Sequence, residues 1–343
     1  ILMKDTLRIC IEEKKTSYIP IWFMRQAGRY LPEFRKIREK NTNFINLCLN
    51  KILSSEITLQ PLKRFKLDAA IIFSDILMLP YALNQKVKFI KNIGPKLGKI
   101  DLENINQIKE IDFVEKLKPV YESLKITSEN KLISNKDLIG FVGAPWTLLV
   151  YMINQKSPKS KLSINKFNNN FLSKDLLLII EKFLKIHIKK QIEAGATIIQ
   201  IFDSWAGLLE DHESFKPKDL YNYVYEPTER IVNFVKDLNV PVICFPRGIK
   251  NYKKFCDFVK PDVINIDYNV NPRDIKDKIN ITIQGGLDPK ILLTDKNKLK
   301  KEALFYLDTF KDHPYIFNLG HGVLPETKPE MVQELVNIVK NYS

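Results

Sequence analysis

The feature that most constrains the fold is a recurrence: eight short apolar, largely β-branched runs, each followed by a longer amphipathic stretch. The runs are Pro20–Met24, Ala69–Ser74, Leu138–Gly143, Thr197–Phe202, Val240–Phe245, Val263–Ile266, Ile281–Gln284 and Tyr315–Asn318. Runs of this length with charged segments between them suit buried parallel strands joined by crossover helices. Leu176–Ala194 carries Leu177, Ile180, Phe183, Leu184 and Ile188 at helical spacing, Leu220–Leu238 repeats the pattern, and Pro329–Tyr342 reads as a closing helix. Val87–Lys136 is longer and less regular, so more than one helix plus an excursion is expected there. Eight strands alternating with helices predict an α/β fold, a single (β/α)8 TIM-type barrel over residues 1–343, with an open sheet as the alternative. The run ends favour the barrel: Arg25, Asp75, Pro145, Asp203–Ser204, Arg247–Gly248, Asp267, Gly285–Gly286 and Gly320–His321 suit a site better than a core. In such a barrel they converge on an active-site cleft at the C-terminal ends of the strands.

Composition narrows the class. A chain of 343 residues, 45% hydrophobic, can bury a large core as one domain. No stretch approaches the ~18 to 20 apolar residues of a membrane span, and Ile1–Lys15 has no secretory pattern, so a soluble, cytoplasmic protein with no membrane partner is expected. The cysteines Cys10, Cys48, Cys244 and Cys256 form no C-x-x-C pair and stand at no metal-ligand spacing from His187, His212, His313 or His321. Four reduced thiols and no metal site are expected. The net charge of +14 invites a nucleic-acid partner, but the lysines are scattered, with no Arg/Lys block interleaved with aromatics. Most of that charge is expected to be solvated surface, with a smaller share attracting an anionic substrate.

The chemistry-bearing residues begin at Arg25 and Arg29, four apart with Gly28 beside the second, at the end of the first run. Two guanidinium forks presented together suit carboxylates, which they match bidentately. Arg35, Lys36 and Arg38 in the same basic segment are expected to face water. Asp75 lies between two apolar segments and must be hydrogen-bonded or functional, and its residue type and position leave both readings open. Tyr151 fits a half-buried aromatic with its hydroxyl at a rim, and Ser204 fits a turn or an N-cap. His321 between Gly320 and Gly322 can approach a ligand closely, and an ordinary histidine pKa would let it pair with an anion once protonated. His187, His212 and His313 read as structural or surface residues.

The string Pro20-Ile21-Trp22-Phe23-Met24-Arg25-Gln26-Ala27-Gly28-Arg29-Tyr30-Leu31-Pro32-Glu33-Phe34 closely resembles the N-terminal signature of uroporphyrinogen decarboxylases, and Gly140–Leu148 through Tyr151 resembles their second signature. Thr58-Leu59-Gln60-Pro61, Ile72–Leu77, Phe202-Asp203-Ser204 and Phe317–Gly322 follow in family order, so the resemblance spans almost the whole chain. It implies a cofactor-independent decarboxylase that converts the four acetates of uroporphyrinogen to methyls in haem biosynthesis, working as a homodimer. It implies that Arg25, Gln26, Ala27, Gly28, Arg29, Asp75, Tyr151, Ser204 and His321 bind the substrate. Asp75 would contact the central pyrrole N–H groups and stabilise a cationic ring, Tyr151 would lie near the departing acetate, and Ser204 would donate to a carboxylate. With Asp75, residues Arg25, Arg29, Tyr151 and His321 form the implied catalytic set. Three departures stand out: Asn154 where glutamate is usual, Gly286 where asparagine is usual, and Tyr268 where tryptophan is usual.

Two rival readings make different demands. A corrinoid-linked methyltransferase of the same barrel superfamily would use zinc held by His and Cys, commonly with a His-x-Cys pair, and no such pair exists here. A basic nucleic-acid-binding protein would lose affinity steeply with salt and turn over no porphyrinogen.

Overall fold

The computed structural model describes residues 6–158, 170–211 and 216–342. Seven of the expected runs are strands of one parallel sheet: β1 Ala69–Ile71, β4 Asp137–Gly143, β5 Ile198–Asp203, β6 Val242–Pro246, β7 Val263–Ile266, β8 Thr282–Gly285 and β9 Tyr315–Ile316. They pair in the order β1-β4-β5-β6-β7-β8-β9, so successive strands of the sheet are spatial neighbours. An antiparallel hairpin, β2 Val87–Ile90 and β3 Gly94–Leu97, is the excursion expected after Val87, and helices Leu102–Asn106 and Glu110–Ser128 follow it.

Pro20–Met24 is reduced to a single bridge, Ile21 with Phe317, where an eighth strand was expected. Two of its N–H groups go to side chains in place of a ladder. Pro20 has no N–H to give. Ile21 donates to the Asp68 carboxylate at 2.7 Å, and Met24 donates to Asn318 Oδ1 at 3.2 Å. The run nevertheless reaches both edge strands: Phe317 N–H donates to Pro20 O at 2.8 Å, and Asp68 N–H donates to Ile21 O at 2.9 Å.

Period-2 alternation along the strands sorts the apolar residues into two cores. Trp22, Ala69, Ile139, Ile198, Ile243, Val263 and Ile316 pack together inside the curl of the sheet, with Leu7 and Ile11 of helix Leu7–Glu13. Ile199, Ile201, Cys244, Ile264, Ile283 and Phe317 point the other way and meet the helices. Among these helices Asn170–Glu193 and Glu226–Asp237 match the expected amphipathic segments, and Pro329–Lys340 is the expected closing helix. The inner core also holds a buried amide layer: Trp22 Nε1 donates to Gln284 Oε1 at 2.9 Å, and Gln284 Nε2 donates to Gln200 Oε1 and Asn265 Oδ1.

Chain stops and starts are local. Proline opens helices Pro145–Asn154, Pro272–Lys276 and Pro329–Lys340, where its preset φ fits and its missing N–H costs nothing. Asn50, Asn251 and Asp295 cap the helices that follow them through side-chain oxygens.

Candidate active site

The arginine loop leaves the first run in an uncommon conformation. Arg25 has φ +57°, in the left-handed region that a non-glycine residue occupies only when its surroundings hold it there. The surroundings do hold it. Gln26 is 1% exposed; its Oε1 accepts from Phe23 N at 3.0 Å and its Nε2 donates to Ala69 O at 3.0 Å. Tyr30 OH donates to Gln26 O at 2.7 Å, and Arg35 Nη1 donates to Arg29 O at 2.8 Å and Tyr30 O at 3.1 Å. Val323 N–H donates to Met24 O at 2.9 Å. The stem of Arg25 lies over Gly322, where an added Cβ would come within 2.5 Å of Arg25 Cδ. Glycine is required there because the arginine occupies the space a side chain would need.

The Gln26 side chain is engaged with backbone at both its oxygen and its nitrogen, which shapes the loop. One sequence expectation about this segment changes. Arg35 is exposed, yet its guanidinium pins the loop, and Arg38 donates to Asn41 O and Thr42 O and lies over the Phe44 ring. Neither is merely a solvated charge. Arg25 and Arg29, by contrast, are exposed, and among the described residues their guanidiniums donate no hydrogen bond. Ala27 and Gly28 lie half-buried between them.

Asp75 follows β1 and faces Arg25. Its Oδ1 accepts from Leu77 N–H at 2.8 Å. Burial pushes its carboxyl up to about 6, although the Leu77 amide and Arg25 both pull the other way. Two hydroxyls of helix Lys51–Arg64 fix the chain just before it. Thr58 Oγ1 accepts from Phe73 N at 2.8 Å, and Ser54 Oγ donates to Phe73 O at 2.7 Å. Thr58 itself donates to Ser54 O at 2.7 Å, and Ser123 donates to Ser54 Oγ at 3.0 Å. Both backbone groups of Phe73 are thus satisfied by side chains, which sets the direction in which Asp75 leaves the strand.

His321 corrects another expectation. Burial, followed by the Arg247 and Arg25 charges, depresses its ring to about 4, so it is neutral at physiological pH. Its Nδ1 accepts from Gly322 N–H at 2.6 Å, which leaves the proton on Nε2. The site therefore receives an N–H donor in place of an imidazolium.

Tyr151, on helix Pro145–Asn154, is half-buried with its ring edge-on to Trp205 at 5.9 Å. Burial holds its hydroxyl above the ordinary tyrosine value, so it stays protonated and able to donate; Asp75 and Arg25 are both close enough to act on it. Ser204 lies in the turn directly after β5, half-buried, with its hydroxyl donating to no described residue. Thr147 holds the turn around it: its hydroxyl donates to Asp203 Oδ1 at 2.6 Å and accepts from Trp205 N at 3.1 Å. Phe141 and Phe202, half-buried and edge-to-face at 5.5 Å, give this end of the sheet an apolar surface.

The structure thus brings Arg25, Asp75, Tyr151 and His321 together, sets Ser204 beside Trp205, and leaves Arg29 on the rim. Sequence reasoning gave no role to Thr58, Ser54 or Thr147, whose hydroxyls act on backbone across long sequence separations. It also gave none to Arg247, although that residue was noted at a strand end as Arg25 was. The departures are accommodated locally: Asn154 Nδ2 donates to Lys156 O at 2.8 Å, and Gly286 has φ +111° with its carbonyl accepting from Tyr306 OH at 2.7 Å. His187 accepts or donates to Tyr121 OH at 2.9 Å in the core, and His313 bonds Ile281 O at 2.9 Å, while His212 lies outside the described residues. Among the described residues no group of three or more His, Cys, Asp or Glu is placed to hold a metal ion, and no helix is long and apolar enough to cross a membrane.

Comparison with known proteins gives concordant findings. Residues 3–342 match the family model described as uroporphyrinogen decarboxylase. The chain is 42% identical over 336 residues to the uroporphyrinogen decarboxylase of Rickettsia felis, covering 96% of this chain and 95% of that one. It is 43% identical over 328 residues to that of Wolbachia pipientis wMel, covering 94% of each. Among solved structures a methyltransferase from Methanosarcina mazei superposes with a TM-score of 0.78 at 18% identity, covering 98% of this chain and 99% of that one. At that identity the likeness is one of fold alone.

Proposed function

The chain belongs to the uroporphyrinogen decarboxylase family, and we propose that its mouth divides the family's reaction between a carboxylate-gripping rim and a cation-stabilising floor. The reaction converts uroporphyrinogen III to coproporphyrinogen III in haem biosynthesis, each of four acetates losing CO2 to become a methyl. It is carboxy-lyase chemistry that needs no cofactor, because the substrate supplies its own electron sink. Protonating a pyrrole carbon makes the ring cationic. The bond to the carboxylate carbon then breaks and its electrons return to the ring. A second proton completes the methyl, and loss of the proton first added to the ring carbon restores the pyrrole, so each CO2 released consumes one proton.

The observation that carries the assignment of roles is Asp75: a carboxyl with one backbone donor, pushed up to about 6, beside an arginine with no hydrogen bond of its own. A carboxylate so poorly solvated gains most when a positive charge develops next to it, which is what protonation of the ring produces. Arg25, Arg29 and the backbone of Ala27 and Gly28 would hold the carboxylates at the rim. The His321 Nε2–H, the Tyr151 hydroxyl and the Ser204 hydroxyl would donate to the acetate or to its neighbours. Phe141 and Phe202 offer the apolar surface on which the macrocycle would rest.

The same proposal takes Pro20–Met24 as the eighth strand of a closed (β/α)8 barrel forming one domain over 1–343. Its hydrogen bonds to both edge strands support that reading. It also takes the protein as a cytoplasmic homodimer with the two clefts close together, which the family resemblance supports. The direct test is anaerobic incubation with uroporphyrinogen III, followed by mass analysis of the porphyrinogens. Stepwise loss of four carboxyls is expected, and a folded protein that removes none overturns the reading.

A further inference from the structure

What their guanidiniums touch separates the chain's nine arginines into two groups. Arg8, Arg35, Arg38, Arg64 and Arg230 are held in hydrogen bonds to carboxylates or backbone carbonyls. Arg273 lies 4.9 Å over the Phe305 ring. The remaining three are Arg25, Arg29 and Arg247, whose guanidiniums donate no hydrogen bond to any described residue. Arg25 and Arg29 leave the end of the first apolar run, and Arg247 directly follows β6. The property that distinguishes the two rim arginines therefore selects a third.

Arg247 is fixed at its backbone and open at its tip. Its N–H donates to Asp203 O and Phe245 O, both at 3.1 Å, and its carbonyl accepts from Gly207 N at 3.0 Å. A Cβ on Gly207 would overlap the Gly248 backbone, so the chain around Arg247 is packed directly against the turn that carries Ser204. Its side chain is 30% exposed, and its nearest anion is Asp267, Nε to Oδ2 3.9 Å. At that separation, with no hydrogen bond, the aspartate orients the guanidinium without occupying its fork. From Asp267 the contacts run on around the mouth. Tyr268 backbone abuts Gly320 so closely that a Cβ there would overlap it; His321 follows, then Gly322 beneath the Arg25 stem. His321 is thus close to two open guanidiniums, Arg247 and Arg25, with Asp267 beside the first and Asp75 near the second. Both arginines act on the histidine in the same direction, lowering its affinity for a proton.

We propose that Arg247 is a third carboxylate-binding residue of the decarboxylase site, holding one substrate side-chain carboxylate together with the Nε2–H of His321. The proposal rests on reading this mouth as the porphyrinogen site. A ligand with eight carboxylates presents more negative charge than two arginines can meet, and a third fork shares the load. Because grip on a carboxylate that survives all four steps is common to ground and transition states, its loss should raise KM and leave kcat nearly alone.

The experiment has two arms. In the first, Arg247→Gln is assayed anaerobically with uroporphyrinogen III. A KM raised roughly ten- to a hundredfold with kcat within about threefold is expected, and Arg247→Lys should recover part of the loss by keeping the charge without the fork. In the second, the His321 ring is titrated by NMR without substrate, its signal identified by its disappearance in His321→Asn. Removing Arg247 should move its midpoint upward from about 4, and lysine at 247 should hold it down. An unchanged KM overturns the carboxylate grip whatever the histidine does, and a raised KM with an unmoved histidine overturns the shared arrangement with His321. If wild-type protein turns over no porphyrinogen, the family reading of the mouth fails. The titration arm still reports whether Arg247 faces the histidine.

Discussion

The two ends of the sheet treat their charges in opposite ways. At the N-terminal end, Asp68 accepts from Ile21 N–H at 2.7 Å and Lys340 Nζ at 2.6 Å, and the Tyr18 hydroxyl also donates to it. Asp137, at the start of β4, accepts from Arg8 N–H and from the Thr197 hydroxyl, each at 2.8 Å. These carboxylates tie the first and last helices to the sheet, and their oxygens are occupied in doing so. At the C-terminal end, Asp75 has one amide donor, and the guanidiniums of Arg25, Arg29 and Arg247 donate to no described residue. Unmet hydrogen-bonding capacity costs stability, and a fold keeps it where a ligand will meet it. The fold is braced at one end and left receptive at the other.

The comparison breaks if variants at the two ends behave alike. Arg25→Ala combined with Arg29→Ala should have the largest effect, lowering kcat/KM on the order of a thousandfold, with the thermal unfolding midpoint nearly unchanged. Asp68→Asn should do the reverse. It removes a charge-assisted anchor of the closing helix, costing roughly 1 to 3 kcal/mol in denaturant unfolding, while kcat/KM per folded molecule stays at the wild-type value. Thr58→Val lies between the two: the loop before Asp75 loses its hydroxyl clamp. Turnover is expected to fall about tenfold, with Thr58→Ser restoring it.

The smallest effect is one of pH. Asp75 is raised to about 6, so it protonates as pH falls through that value and kcat/KM should decline there. His321, depressed to about 4, should contribute no step between 5 and 8. A profile flat from pH 8 to 5 would show that the ionised Asp75 is not needed.

The sheet strands were legible because the alternation of inner and outer residues, such as Ile198, Gln200 and Phe202 against Ile199 and Ile201, is written directly in the chain. The first run forms a bridge and no full ladder because the N–H groups of Ile21 and Met24 go to Asp68 and Asn318, partners 47 and 294 residues away. That Arg25, Asp75 and His321 would come together was legible from strand-end position and family resemblance, and the resemblance added Tyr151 to that group. The neutral state of His321 was not, since it depends on Arg247 and Arg25 arriving from distant segments. The clamps by Thr58, Ser54 and Gln26 were hidden for the same reason: a hydroxyl or amide in a helix or loop carries no local sign of the backbone group it will meet.

The most direct test of the central claim, that the sparsely partnered Asp75 is the group that stabilises the reacting ring, is Asp75→Asn measured for turnover and folding in one preparation. The raised carboxyl of Asp75 favours the folded state only while protonated, and that contribution is lost as pH rises through about 6. The asparagine variant should therefore be at least as stable as wild type at pH 7.5, by up to about 3 kcal/mol, with the gap closing toward pH 4. Its anaerobic turnover of uroporphyrinogen III should fall by a factor on the order of a thousand or more. A variant that folds equally well and still decarboxylates within tenfold of wild type would contradict the claim.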